Sequence, residues 1–219
     1  MRNEQNQTLE EFLQSYDPNK YEHPSVTVDI ALLTFAGDSP AVLLIKRRNH
    51  PAIGEWALPG GFVEMQEELE EAAARELLEE TGIAAPLVQL GAYGAPDRDP
   101  RTRIITIAYL SLMAKGSVCA CAGDDAADAR LFHISLNVQA KQDILMLHAP
   151  GEKPIRIVIE RRIENGLLPQ AVLVEPGLAS DHGLILYDAI QMAKKLPVPL
   201  AAKRLGVNEA LLKDVWNRV

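Results

Sequence analysis

The sequence predicts an α+β fold: a mixed sheet around one central helix, with an added β-ribbon and a helical, helix-turn-helix-like C-terminal tail. Three observations carry this expectation. Alternating or continuous β-branched runs such as "SVTVDIALLTF", "AVLLIKRR" and "RIITIAYLSLMAK" surround one long stretch of strong helix formers, "EELEEAAARELLEET". Further strand-like runs, "KQDILMLHA", "KPIRIVIERRI" and "PQAVLVE", are cut by the turn formers "PGE" and "ENG". From "LASDHGLILYDAIQMAKK" onward the apolar spacing becomes helical, with Leu184, Ile185, Tyr187, Ala189 and Ile190 able to share a broad face.

Taken in order, residues 1–24 read as a polar N-terminal arm with a short helix near "TLEEFLQSY". A main domain follows over 25–140. Its first two strands are separated by the turn material "AGDSP", and "PLVQLGAYG", "RIITIAYLSLMAK" and "ARLFHIS" supply strands beyond the acidic helix. Residues 141–176 read as the ribbon extension and 177–219 as the helical region. In the latter, "PLAAKRLGVNEALLKDVWNRV" has the form of helix, turn and helix, with Gly206 and Val207 at the turn and no room expected for a wing after Val219. No internal repeat or low-complexity tract interrupts this order.

Composition narrows the function classes. The 219 residues suit one domain with an appendage or two small ones, and 47% apolar with 24% charged residues is an ordinary globular balance. No stretch approaches the ~18 apolar residues that a membrane span needs. The start "MRNEQNQTLEEF" lacks the layout of a secretory signal, so a cytoplasmic location without membrane contact is expected. Cys119 and Cys121 read as ordinary reduced thiols, because one C-x-C with no partner pair is a poor zinc pattern. A net charge of -8 argues against a broad nucleic-acid surface, but not against a small anionic ligand held by metal ions and a few arginines.

The central helix carries the chemistry. It is expected over Leu69 to Thr81, stopped by Gly82, and on it Glu76, Glu79 and Glu80 fall at i, i+3 and i+4, one turn apart on one face. Leu69, Ala73 and Leu77 form the opposing apolar stripe, while Ala72 and Ala74 keep the helix slim. Glu67 lies in the loop opened by Pro59, Gly60 and Gly61, which can fold back over the acids. Converging carboxylates repel unless a cation sits among them, and hard oxygen donors select Mg²⁺, with Mn²⁺ as the alternative. Mg²⁺ favours phosphate oxygens, so attack of water on a phosphoanhydride is the expected reaction. Arg75 could orient one of the acids.

These positions resemble the Nudix box, G-x5-E-x7-R-E-U-x-E-E-x-G-U with U a bulky aliphatic. Gly61, Glu67, Arg75, Glu76, Leu77, Glu79, Glu80, Gly82 and Ile83 match it at every fixed position. The resemblance implies the Nudix fold, a β-α-β sandwich, and divalent-metal hydrolysis of nucleoside diphosphates linked to another moiety. It implies Glu76, Glu79 and Glu80 as catalytic metal ligands, helped by the Gly61 carbonyl, with Glu67, Arg75 and Gly82 structural in the motif. Glu76 is one base candidate. Others lie in "AGDDAADARLF", where Asp124, Asp125 and Asp128 precede a strand that carries the remaining acid in many family members, there usually as glutamate; Asp125 is taken as the catalytic one.

For substrate, "YGAPDRDPRTRIITIAYL", with Pro96 and Pro100, is similar to the corresponding segment of ADP-ribose pyrophosphatases. Arg98, Arg101 and Arg103 offer forks suited to a diphosphate, against a plainer reading as ion pairs with Asp97 and Asp99. Arg48, with Arg47 and His50, is a further candidate, and Trp56 could stack a base or belong to the core. The expected reaction is thus Mg²⁺-dependent cleavage of ADP-ribose or a related nucleotide sugar to AMP and ribose 5-phosphate, by a homodimer.

The alternative rests on "YDPNKYEHPSVTVDIALL" and "LASDHGLIL", which resemble Nudix-related transcriptional regulators that sense a nucleotide-sugar ligand and bind DNA through a C-terminal winged helix. The tail is locally basic, since Lys194, Lys195, Lys203, Arg204, Lys213 and Arg218 outnumber Glu209 and Asp214. Its last helix nevertheless opens on Asn208 and Glu209 and offers few donors to DNA. The box is intact, whereas sensing domains that have lost hydrolysis typically show a damaged one. The hydrolase reading is therefore preferred, and DNA is the less favoured partner.

Overall fold

The computed structural model describes residues 1–118, 126–163 and 169–218. A ten-stranded sheet runs through it. After a short helix α1 (Leu9–Ser15) come β1 (Ser25–Ala36), β2 (Ser39–Arg47), β3 (Trp56–Ala57), β4 (Gly60–Phe62) and helix α2 (Leu69–Thr81). Then follow β5 (Val88–Tyr93), β6 (Ile104–Leu112), β7 (Ala126–Val138), β8 (Gln142–His148), β9 (Ile155–Ile163) and β10 (Pro169–Glu175). Three helices, α3 (His182–Lys195), α4 (Val198–Leu205) and α5 (Glu209–Arg218), end the described chain. None of the described helices is long and apolar enough to cross a membrane.

The strand order is β10-β9-β8-β7-β2-β1-β6-β5, with β3 paired to β2 and β4 to β1. β1 and β6 run parallel from Ser25↔Ile104 to Leu33↔Leu112, and the other pairings are antiparallel. The sheet is therefore mixed, as expected. The ribbon predicted over 141–176 is not a separate layer, because β8 pairs with β7 from His133↔His148 onward and continues the same sheet.

β1 explains the architecture from its sequence. Its buried run from Thr27 to Phe35 is mostly apolar because both faces are covered, and successive side chains point to opposite sides. Val28, Ile30 and Leu32 pack with Ala72, Ala73 and Leu77 of α2. Ala31, Leu33 and Phe35 join Ile185, Leu186, Ala189 and Ile190 of α3 on the other side, with Ala201 and Leu205 of α4 and Leu212 and Val215 of α5. Thus α3, read from the sequence as part of a tail, is the second layer of the sandwich. Ala74 departs from expectation in the other direction: it is exposed, and Ala72 and Ala73 provide the close approach to the sheet.

α3 is also fastened by polar bonds at both sides of the sheet. Tyr93 Oη donates to Asp188 Oδ2 at 2.9 Å, and Tyr187 Oη donates to Asp143 Oδ2 at 2.6 Å. The buried donors satisfy carboxylates that would otherwise be costly to desolvate. Trp56, offered as a possible base-stacking residue, is buried in the core edge-on to Phe132, with ring centroids 4.8 Å apart. Its own strand β3 and the following β4 are absent from the sequence reading, since strands of two and three residues carry too little periodicity to detect.

Candidate active site

A cleft of about 740 Å³ opens where α2, the β3–β4 segment and the start of α3 meet. Its size is in the range of sites for small organic ligands. Its walls include Asp29, Arg47, Arg48, Gly60, Gly61, Glu76, Glu80, Arg98, Arg101 and His182. Gly61, Glu76, Glu80, Arg75, Arg48, Arg98 and Arg101 of the sequence-predicted set are thereby brought together.

The helix forms where its residues dictate. Glu71 accepts from the Glu68 N–H at 3.1 Å at the start, and Gly82 in the left-handed region (φ 71°) donates to the Leu78 carbonyl at 2.8 Å to stop it. The spacing then turns Glu76 and Glu80 toward β4. The glycines there are required by close packing. A Cβ on Gly60 would stand 2.1 Å from the Val28 carbonyl oxygen, and one on Gly61 would stand 2.4 Å from the Glu76 carboxyl group. Gly60 N–H donates to Glu80 Oε2 at 2.8 Å, tying the loop to the helix.

Arg75 makes more contacts than the sequence suggests. Its guanidinium donates to Glu67 at 2.7 and 3.0 Å, to Glu76 at 2.8 Å, to Glu79 at 3.1 Å and to the Phe62 carbonyl at 3.0 Å. Glu67 also accepts from the Glu64 N–H at 2.7 Å, and the Arg75 hydrogen bond followed by this one holds its carboxyl below the usual range. These bonds tie the loop at Phe62–Glu67 to α2 through Arg75. Glu79, by contrast, is largely exposed and lies outside the cleft lining, with Arg75 as its ion-pair partner.

The two inward acids feel their burial. Glu80 is 8% exposed, and desolvation pushes its carboxyl up to about 8, helped by the nearby Glu76 and opposed by the Gly60 N–H. Burial raises Glu76 too, against the pull of Arg75. Among the described residues no three acidic, histidine or cysteine side chains form a ready-made metal cage. The donor chemistry nevertheless suits a hard divalent cation: two carboxylates and backbone oxygen stand on one cleft wall, with one acid at an energetic cost that a cation would relieve.

The arginines divide sharply. Arg98 is 4% exposed in its side chain and donates to both oxygens of Asp181 at 2.9 and 2.7 Å, with Asp29 Oδ2 at 3.4 Å. It is occupied by carboxylates, though not by the Asp97 and Asp99 expected from the sequence. Arg101 pairs with Asp99 at 2.9 and 3.0 Å, and its guanidinium lies 5.3 Å from the Phe62 ring centroid at the cleft mouth. Arg103 does not line the cleft and donates to the Gly94 carbonyl at 2.6 Å. Arg47 donates to the Pro51 carbonyl at 2.8 Å. Asp128 lies in β7, where Arg130 pairs with it at 2.7 Å, away from the cleft. Asp124 and Asp125, like Cys119 and Cys121, lie outside the described residues.

Two cleft residues, Asp29 and His182, and Asp181, which holds Arg98 beside them, were not among the site residues read from the sequence. The only hint in the chain is that Asp29 interrupts an otherwise apolar buried strand. The other two lie in "LASDHGLIL", a stretch noted for its resemblance to regulators and not for a role at the site, and their partners lie 83 and 124 residues away.

Residues 23–148 match the NUDIX domain family, and the chain belongs to it. More narrowly, it is 44% identical over 116 residues to an ADP-ribose pyrophosphatase of Methanocaldococcus jannaschii, spanning 52% of this chain and 65% of that protein. It is 41% identical over 105 residues to the ADPR responsive transcriptional repressor NtrR of Acinetobacter baylyi, spanning 47% of this chain and 42% of the repressor. The chain thus covers less than two thirds of the length of either relative. A solved MutT/nudix family protein from Enterococcus faecalis superposes with a TM-score of 0.68 at 30% identity, covering 93% of this chain and 83% of that one.

Proposed function

We propose that the protein is a divalent-cation-dependent pyrophosphohydrolase that cleaves the diphosphate of ADP-ribose or a related nucleotide sugar, giving AMP and ribose 5-phosphate. The observation that carries this reading is the meeting of the intact acidic face of α2 with the Gly60–Gly61 backbone along one wall of a cleft of about 740 Å³. Similarity to an ADP-ribose pyrophosphatase supports the substrate class.

In this reading Glu76 and Glu80, with Glu79 and the Gly61 carbonyl, hold Mg²⁺ or Mn²⁺. The bound cation supplies charge neutralisation and Lewis acidity toward the diphosphate. Arg101 and Arg48, on the cleft walls, steer and orient the anionic substrate. Arg98 and Arg103 are withdrawn from that role, because one is taken up by Asp181 and Asp29 and the other lies away from the cleft. The proton acceptor for the attacking water is Glu76 or, just before β7 in the sequence, Asp125. We also assign the chain to the cytoplasm and to a homodimer joined through its N-terminal arm. The exposed Leu9, Phe12 and Leu13 of α1, a helix with no buried residue, support that assembly.

The test is phosphate release, after phosphatase coupling, from ADP-ribose, other nucleotide sugars, NADH and diadenosine polyphosphates, with Mg²⁺, with Mn²⁺ and after chelation. Metal-dependent release from ADP-ribose ahead of the others is the expected result. No release from any substrate would defeat the hydrolase reading.

A second reading has one observation in its favour. α4 and α5 form a helix, turn and helix around Gly206, which is left-handed (φ 64°), and Asn208 caps α5 by accepting from the Leu211 N–H at 2.7 Å. Together with the similarity to a repressor, this supports a ligand-responsive regulator that binds DNA. Retarded migration of promoter DNA that changes with ADP-ribose would favour it over a hydrolase alone.

A further inference from the structure

Outside the acidic box, the least expected construction in the cleft is the turn that leads into α3. Its residues 179–182 are clamped onto the β3–β4 segment. Ala179 N–H donates to the Trp56 carbonyl at 2.9 Å, and the Leu58 N–H donates to His182 Nδ1 at 2.9 Å. The Pro59 carbonyl is taken by the Ile30 N–H at 2.8 Å, and Gly60 N–H by Glu80 at 2.8 Å. Four of the five residues from Trp56 to Gly60 are thus anchored, two by the turn into α3, one by β1 and one by α2, and Gly61 follows directly.

His182 is the one side chain among these anchors that comes from α3. Because its Nδ1 accepts from a backbone N–H, the neutral ring carries its proton on Nε2. That nitrogen faces Asp29 Oδ1 at 3.5 Å, and Asp29 is itself held by Arg98, which is locked to Asp181 beside His182. The imidazole, 9% exposed in its side chain, therefore has both nitrogens turned to protein groups. It is not placed to exchange protons with a substrate.

We infer that His182, oriented by Asp29, is a positioning residue that sets the Leu58–Gly61 backbone against Glu76 and Glu80, and so sets the divalent-cation affinity of the cleft. The inference rests on the proposed use of the Gly61 carbonyl and the two glutamates as cation donors. The glycine pair is laddered to β1 at Asp29↔Gly60 and Val28↔Gly61, and having no side chains it depends on such backbone contacts and on its neighbours for its exact position. Groups behind metal donors affect affinity without touching the ion.

Two variants separate positioning from bulk packing. Asparagine carries an acceptor at the place of Nδ1, and glutamine reaches only the place of Nε2. Mn²⁺ binding to the substrate-free protein, followed by electron paramagnetic resonance, is the first readout. The split between kcat and KM for ADP-ribose is the second. H182Q is expected to weaken Mn²⁺ binding about tenfold and to lower kcat comparably with little change in KM, while H182N stays close to the wild type. H182Q binding Mn²⁺ as the wild type does, or H182N falling as far as H182Q, would overturn the inference and leave the hydrolase reading intact. A wild type that binds no Mn²⁺ would overturn both. Binding with no hydrolysis of ADP-ribose would remove the proposed reaction only, since the metal titration decides the role of His182 by itself.

Discussion

α2 and α3 rest on opposite faces of the same sheet and both reach the same cleft, yet they bring charge to it in opposite ways. The inward acids of α2 are buried with too few positive partners, and Glu80 shows the strain in a carboxyl raised to about 8. The start of α3 brings Asp181 already neutralised, locked to Arg98, which also reaches Asp29. In the proposed reading the first arrangement takes its cation from outside, whereas the second has its counter-charge within the protein. A buried acid without a cationic partner, as on α2, is the kind of group that points to a ligand, whereas a paired one points to structure.

The largest expected effect follows from replacing the most strained group. E80Q keeps the volume and the contact with Gly60 but removes a charged donor, and turnover of ADP-ribose should fall by more than about a hundredfold, beyond what changes behind a metal donor cause. An unaltered rate would erase the distinction between the two walls.

The same residue predicts a pH dependence of opposite sign to that of a salt-bridged acid. Its folded value of about 8 lies above the ordinary 4.5, so the native state holds a proton that the unfolded chain has lost. The contribution is fully present below about 4.5 and is lost as pH rises through about 8. Chelated wild-type protein should therefore melt at falling temperature across this window. E80Q should flatten the slope, and adding Mg²⁺ near pH 7 should release protons. Melting curves and calorimetry in two buffers of different ionisation enthalpy check both statements; a wild-type slope that survives E80Q would assign the burial cost elsewhere.

On the other wall the loss should be of stability. R98A leaves Asp29 and Asp181 buried without their cation, a change that costs about 3–5 kcal/mol. In a chain of this size that lowers Tm by roughly 10 °C. Differential scanning calorimetry would show it, and a drop of a degree or two would mean that the pair relaxes into solvent when Arg98 is gone.

How much of this could be read beforehand follows the same division. The acids of α2 were legible because a helix turns sequence spacing directly into a face, and all of the box lies within residues 61–83. β1 and its neighbours were legible from mostly apolar runs. Arg98 was visible as a cation, but its partner was not, because Asp181 arrives from 83 residues away through the packing of α3. His182 stood in the quoted stretch "LASDHGLIL" but not as a site residue, because its contact with Leu58 spans 124 residues. The place of α3 was missed for a related reason: periodicity shows that a helix has an apolar face, but not which sheet covers it. The ribbon over 141–176 was read as strands correctly, yet only the pairing of β8 with β7 reveals that it extends the main sheet.

The smallest effect tests where the site ends along α3. Tyr187 stands five positions after His182, and its hydroxyl donates at 2.6 Å to Asp143, a carboxylate 2% exposed whose Oδ1 has the Arg161 guanidinium at 3.4 Å. Y187F removes that donor and leaves the acid in place, at a cost of about 1–3 kcal/mol. Tm should fall by several degrees, while kcat and KM for ADP-ribose stay at wild-type values. The reasoning is geometric: Tyr187 faces β8, whereas the clamp on Leu58 is made one turn earlier by His182. If Y187F lowered kcat as well as Tm, α3 would behave as one lever from the sheet to the cleft, and the boundary between the structural and the ligand-taking wall would have to be moved along the whole helix.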